Sequence, residues 1–168
     1  MKSFSQTPKE LKIMLELLDK EDKNIKRVIN ATKEIGPDFE IHARSKTVEE
    51  SVKHTPLTKN RIIKTLVFKA GNDFIAVMCP GNKRVDENKL AKITEKTIRM
   101  ARPEEVKSNT GYIVGGVSPF DLDIDLYAAK SIPKGDVRPA GGSQIVGVKT
   151  TRSDLFNLVN PKIVQITE

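Results

Sequence analysis

Tryptophan is absent from this chain and cysteine occurs once, as Cys79. One thiol excludes an internal disulfide, so the fold must rest on packing, and a reducing, cytoplasmic setting is expected. Histidine occurs only as His42 and His54, which do not sit at a metal-ligand spacing. Neither a metal nor a cofactor is expected. Six Phe and two Tyr are too few for a platform that stacks many bases. No apolar run is long enough to cross a bilayer, and the opening MKSFSQTPKELK lacks the apolar core of a signal peptide. The phosphate-binding patterns G-x-x-x-x-G-K-[ST] and G-x-G-x-x-G are missing. Ser118, in Gly-Val-Ser-Pro-Phe, lacks the last glycine of a nucleophile elbow.

What remains is a chain of 168 residues, 38% hydrophobic and 30% charged, long enough for one domain that buries roughly 70% of its unfolded surface. Its net charge is +7, from 29 Lys+Arg against 22 Asp+Glu. That excess suits a polyanionic partner, because phosphate contacts release counterions; it also suits a plain solvated surface. Nothing in the pattern specifies an oligomeric state.

Thr7-Pro8-Lys9-Glu10 reads as a capped helix start, followed by Leu11, Met14, Leu15 and Leu18 at helical spacing. A second helix carries Ile25, Val28 and Ile29 and stops at Gly36-Pro37, with the charges near 20–26 as its solvated face or a connection between helices. Alternation at Phe39, Ile41 and Ala43 predicts a strand, and Thr47-Val48-Glu49-Glu50 a short helix. RIIKTLVFKAGNDFIAVMCPG predicts a hairpin: a strand over 62–69, a turn at Gly71-Asn72, and a partner from Phe74 to Cys79. A helix capped by Asp86, a strand at 98–100, one helical turn from Pro103 and strands at 124–128 and 144–148 follow. A helix capped by Ser153 and a last strand at 162–166 complete the chain. With no βαβ alternation, the fold class is α+β with a mixed, largely antiparallel sheet.

Two features stand out chemically. Lys64 shares a strand face with Ile62, Leu66 and Phe68, so its ammonium either meets an anion in a cleft or snorkels to water over an apolar base. The mixed opposite face reads as an edge strand. The stretch TGYIVGGVSPFDL places Gly111, Gly115 and Gly116 before Pro119, either as a tight turn or as a cradle aiming backbone N–H groups at one oxygen or phosphate. Cys79 ends an apolar strand and reads as a buried, inert thiol. Asp121, Asp123 and Asp125 alternate as on one solvated strand face.

In order and spacing, RIIKTLVFKAG, PGNKRVDENKLAK, ARPEEVKSNTGYIVGGVSPF and PAGGSQIVGV resemble the YbaK / prolyl-tRNA-synthetase-associated domain family over roughly residues 39–160. The resemblance implies a barrel-like mixed sheet flanked by helices: an editing domain over 37–168, with residues 1–36 as an added helical extension packed on it. It implies an aminoacyl-tRNA deacylase that acts in trans on a mischarged small amino acid, or a non-catalytic tRNA- or synthetase-binding module of the same fold. The expected partners are the acceptor end of aminoacyl-tRNA and a synthetase, with no membrane.

The resemblance sets Lys64 at the family's functional lysine and Gly115-Gly116-Val117-Ser118-Pro119 at its G-x-x-x-P loop. Lys64, Gly115 and Gly116 are then the expected catalytic groups. Thr110, Gly111, Tyr112, Val117, Ser118, Pro119 and the turn Gly141-Gly142-Ser143 are expected to line the substrate pocket. Where the family often has glycine after Pro-Phe, this chain has Asp121, and ESVKHTPLTKN is more polar than the usual alanine-rich helix.

Overall fold

The structure, a computed structural model, describes residues 4–6, 8, 22–41 and 57–168. The helix expected over Leu11–Leu18, the helix expected at 47–50, Ala43, His42 and His54 lie outside them.

The first described elements are β1 (Phe4–Gln6), a three-residue strand too short to show an alternation, and α1 (Asp22–Ala31). Helix α1 buries Ile25, Val28 and Ile29, one side of a 3.6-residue repeat, in the same core as Phe39, Tyr112, Phe120, Val137, Val146 and Val148. It ends earlier than its glycine signal, in turns that run on to Gly36 at φ +51°. β2 (Asp38–Ile41) follows, then one 3-10 turn at Lys59–Arg61 and the long hairpin of β3 (Ile62–Ala70) and β4 (Asp73–Pro80). Its loop is Gly71-Asn72. Only Gly71 has positive φ, +61°, which is why glycine occupies the first central position.

α2 (Glu87–Thr94) starts where the Asp86 carboxylate accepts hydrogen bonds from the N–H groups of Asn88 and Lys89. After β5 (Ile98–Met100), α3 (Pro103–Thr110) runs for two turns rather than the expected one and ends on Gly111 at φ +77°. β6 (Asp125–Ala129), β7 (Asp136–Ser143) and β8 (Val146–Thr151) follow, then α4 (Arg152–Val159) and β9 (Lys162–Val164). The cap of α4 is Thr151, whose hydroxyl accepts from the Asp154 N–H, and not Ser153. Among the described residues no helix is long and apolar enough to cross a membrane.

The strands form one sheet in the order β1-β2-β8-β7-β3-β4-β6-β9, with β5 also on β3. Pairs β1–β2, β2–β8, β7–β8, β3–β4 and β3–β5 are antiparallel, whereas β3–β7, β4–β6 and β6–β9 are parallel. The α+β class with a largely antiparallel mixed sheet is therefore the observed one. The path is open, with β1 and β9 at its ends among the described strands.

Three expectations are corrected by the structure. First, β3 is not an edge strand. β4 pairs along one side of it; on the other side β7 pairs with Ile62 and Ile63, and β5 with Phe68–Ala70. Second, Gly141-Gly142-Ser143 is not a turn but the end of β7, and the turn is Gln144-Ile145. Pro139 and two glycines disguise this strand. Both glycines are there for space: a Cβ on Gly141 would stand 2.6 Å from Val146 Cγ1, and one on Gly142, at φ +93°, 2.7 Å from the Asn24 carbonyl oxygen. Nor do the three aspartates share a strand face. Only Asp125 belongs to β6, and Asp121 stands in the left-handed region at φ +58°.

A buried ion pair ties the strands flanking β8 together. Arg138 of β7 reaches Glu40 of β2, Nε to Oε2 2.7 Å, with both side chains less than a tenth exposed. Gly147 of β8 lies between them, and a Cβ there would collide with the Arg138 guanidinium.

Candidate functional site

Lys64 stands where the sheet splits. The β3–β7 ladder covers only Ile62↔Arg138 and Ile63↔Pro139, and β5 does not join β3 until Phe68. Among the described residues, positions 64–66 thus have no partner on that edge, and the Val67 carbonyl already accepts from the Ala101 N–H that follows β5, at 3.0 Å. Lys64 is the first of them, half-buried and opposite Cys79 of β4. Among the described residues its ammonium makes no hydrogen bond or ion pair. The Cys79 thiol, fully buried, is pushed up to about 11 by that burial, with the Lys64 charge pulling the other way. A neutral thiol is a poor nucleophile, in keeping with the inert reading.

Each strand bordering the split leads to one of the glycine segments. β5 leads through α3 into the stretch 111–120, and β7 runs on to Gly141–Ser143, with a register shift between Ala140 and Ser143. The two segments meet. A Cβ on Gly116 would stand 3.1 Å from the Cα and carbonyl carbon of Ser143, and the Gln144 side-chain amide donates to the Val114 carbonyl at 3.0 Å.

Inside the loop, the Gly116 N–H donates to the Ile113 carbonyl at 2.9 Å and closes a β-turn. Gly115, at its third position, has φ +88°, which glycine adopts without strain. The Gly116 amide is thereby committed to the turn. Among the described residues, no acceptor takes the N–H groups of Gly115, Val117 or Ser118, and Val117, Ser118 and Pro119 are buried. Buried amides without acceptors are rare, since each forfeits a hydrogen bond to water. The Ser118 hydroxyl accepts from the Phe120 N–H at 3.4 Å, so it serves the bend of the loop.

Beside the loop lies a cavity of about 800 Å³. Of the expected site residues, Thr110, Gly111, Gly142 and Ser143 line it; Lys64, Gly115 and Gly116 do not. Its other walls include Lys23, Asn24 and Arg27 of α1, Lys107 of α3, Ile113 and Asp121. Tyr112 is fully buried and donates its O–H to the Phe120 carbonyl at 2.7 Å. Burial pushes this phenol up to about 12.

The α1 contribution was not foreseen. Arg27 continues the charged run that reads as a solvated face, yet its guanidinium lies over the Tyr112 ring, 4.1 Å from the centroid, and pairs with Asp121 at 2.7 Å. The one available signal was Asp121 itself, an acidic residue where the resembled family often carries glycine.

The model of the family "Aminoacyl-tRNA editing domain" matches residues 42–142. The uncharacterized protein YwhH of Bacillus subtilis (strain 168) is 32% identical over 128 residues, covering 74% of this chain and 82% of YwhH. The proline–tRNA ligase of Caldicellulosiruptor bescii is 35% identical over 88 residues, or 52% of this chain; that match spans 15% of the ligase. Among solved structures, a protein proposed to be a trans-editing enzyme for prolyl tRNA synthetase has a TM-score of 0.79 and 25% identity, covering 87% of this chain and 98% of its own. A match over more than half of its length, on a fold shared with that structure, makes this chain a member of the aminoacyl-tRNA editing domain family.

Proposed function

We propose that the protein is a trans-acting deacylase that hydrolyses the ester between a wrong small amino acid, of the cysteine, alanine or serine class, and the terminal adenosine of tRNA. One observation carries the reading. Among the described residues, the N–H groups of the buried Val117 and Ser118 find no acceptor in a loop packed on the end of β7, and half-buried Lys64, where β3 and β7 part, pairs with no group. Family membership and likeness to a proposed trans-editing enzyme support it.

An aminoacyl ester is already activated, so the site needs to stabilise charge more than to supply a nucleophile. The N–H groups of Gly115, Val117 and Ser118 are the donors for the developing oxyanion. One such donor is worth about 3 kcal/mol, a few hundredfold in rate. Gly116 acts by what it lacks: without a Cβ, the loop closes on Ser143. Lys64 holds a phosphate or the polar end of the substrate and fixes the ester against the loop. Water attacks, helped by the ribose hydroxyl next to the ester; a cysteinyl substrate can use its own thiol, leaving as a cyclic thioester whose C–S bond water then cleaves to give free cysteine. The alcohol leaves as the free 3′ end of tRNA. Selection rests on pocket size, where one methylene is worth about 1–3 kcal/mol. The charge of +7 holds the acceptor end, with an affinity that falls as salt rises. A synthetase is the proposed partner that delivers mischarged tRNA.

The test is release of amino acid from a panel of mischarged tRNAs. Hydrolysis of small aminoacyl esters is the expected result. Binding of the tRNAs without release of any amino acid would make the protein a binding module instead.

A further inference from the structure

Helix α1 lies outside the residues matched by the family model, yet one of its side chains grips both stems of the glycine loop. Arg27 Nη1 donates to the Thr110 carbonyl at 2.6 Å, Nε donates to Asp121 Oδ2 at 2.7 Å, and Nη2 donates to the Asp121 carbonyl. Its guanidinium also covers the Tyr112 ring. We propose that Arg27 is a positioning residue, holding residues 110–112 and 120–121 at a fixed separation so that the amides between them keep their aim. This rests on the deacylase reading above.

The sequence around the grip fits it. Gly111 has φ +77°, and a Cβ there would stand 3.0 Å from Arg27 Nη1, so glycine at this position gives the guanidinium room. Asp121 occupies a left-handed conformation, φ +58°, in which glycine is free of strain. Here a carboxylate takes that position and pairs with Arg27, so the chain carries its own acceptor for the grip. The Tyr112–Phe120 hydrogen bond ties the same two stems a second time. A planar fork with donors on three nitrogens reaches three acceptors at once; a lysine ammonium in the same place cannot.

The test compares wild type with Arg27→Ala and Arg27→Lys, measuring kcat and KM on a mischarged tRNA and amide exchange over residues 110–121. Arg99→Ala is the control, since it breaks the Arg99–Glu105 pair at the start of α3, away from the loop. Arg27→Ala is expected to lower kcat by about 100-fold with little change in KM, the scale of a misplaced reacting group. Exchange in the loop is expected to quicken in Arg27→Ala and not in Arg99→Ala. Arg27→Lys is expected to recover stability without recovering kcat. Full rescue by lysine, a loss confined to KM, or unchanged loop exchange would each overturn the proposal. If Arg27→Ala does not fold, the lysine variant decides. If wild type hydrolyses no ester, the deacylase reading falls, and the exchange data alone decide whether Arg27 orders the loop.

Discussion

The Gly116 Cα and the Ser143 backbone are in such close contact that a Cβ on Gly116 would stand 3.1 Å from two Ser143 carbon atoms and 3.3 Å from its nitrogen. The positions come from segments that are far apart in sequence. Gly116→Ala is expected to push the loop off β7 by a few tenths of an ångström and to lower kcat by about tenfold, since positioning errors of about 1 Å cost on the order of 100-fold. The melting temperature is expected to move little, because φ at Gly116 is not positive. Gly115→Ala, at φ +88°, adds backbone strain of about 1–2 kcal/mol and is expected to lower both. Steady-state hydrolysis beside a thermal melt separates the two; Gly116→Ala at wild-type kcat would remove the cradle from the mechanism.

The Arg138–Glu40 pair makes a prediction about stability alone. Burial lowers the Arg138 pKa, with the Glu40 charge opposing it. Removing one partner strands a buried charge, which costs about 3–5 kcal/mol. Glu40→Gln is expected to lower the unfolding free energy from urea titration by about that amount, and so the midpoint, and replacement of both residues by apolar ones to recover most of it. An unchanged midpoint in Glu40→Gln would mean that water reaches the pair.

Glu105 links stability to pH. Its carboxylate accepts from the Arg99 guanidinium and from the Arg102 N–H, and these hold it down at about 2, below its ordinary 4.5. A carboxylate with a depressed folded pKa contributes stability above its unfolded value and loses it as pH falls toward the folded one. Denaturation midpoints measured between pH 5 and pH 2 are expected to fall less steeply in Glu105→Gln than in wild type. Parallel curves would show that the pair is already broken in solution.

Cys79 gives a chemical control. Its thiol is buried and raised to about 11, so a thiol reagent at neutral pH is expected to label it slowly in the folded protein and quickly once urea unfolds it. Cys79→Ala is expected to hydrolyse mischarged tRNA at the wild-type rate. Loss of hydrolysis in that variant would point to a thiol nucleophile.

Local chemistry made much of this fold readable. The β3–β4 hairpin announced itself through Gly71-Asn72 between two apolar runs, and α2 through the Asp86 cap. Lys64 stood out as a cation on an apolar face, and the loop through its glycines. What stayed hidden depended on distant partners. β7 reads as a loop because its glycines answer to Val146 and Asn24, not to their neighbours. The parallel pairing of β3 with β7, which ends at Ile63 just before Lys64, has no local signature. Arg27 looks like any exposed helix cation until Asp121 and Tyr112 are folded against it.

Hydrolysis at this site requires Lys64 to act together with the glycine loop. The direct measurement is single-turnover release of amino acid from a mischarged tRNA, comparing wild type with Lys64→Ala at saturating enzyme. The expected result is hydrolysis by wild type and a loss of about 100-fold or more in Lys64→Ala with its fold intact. Equal rates for the two proteins would contradict it.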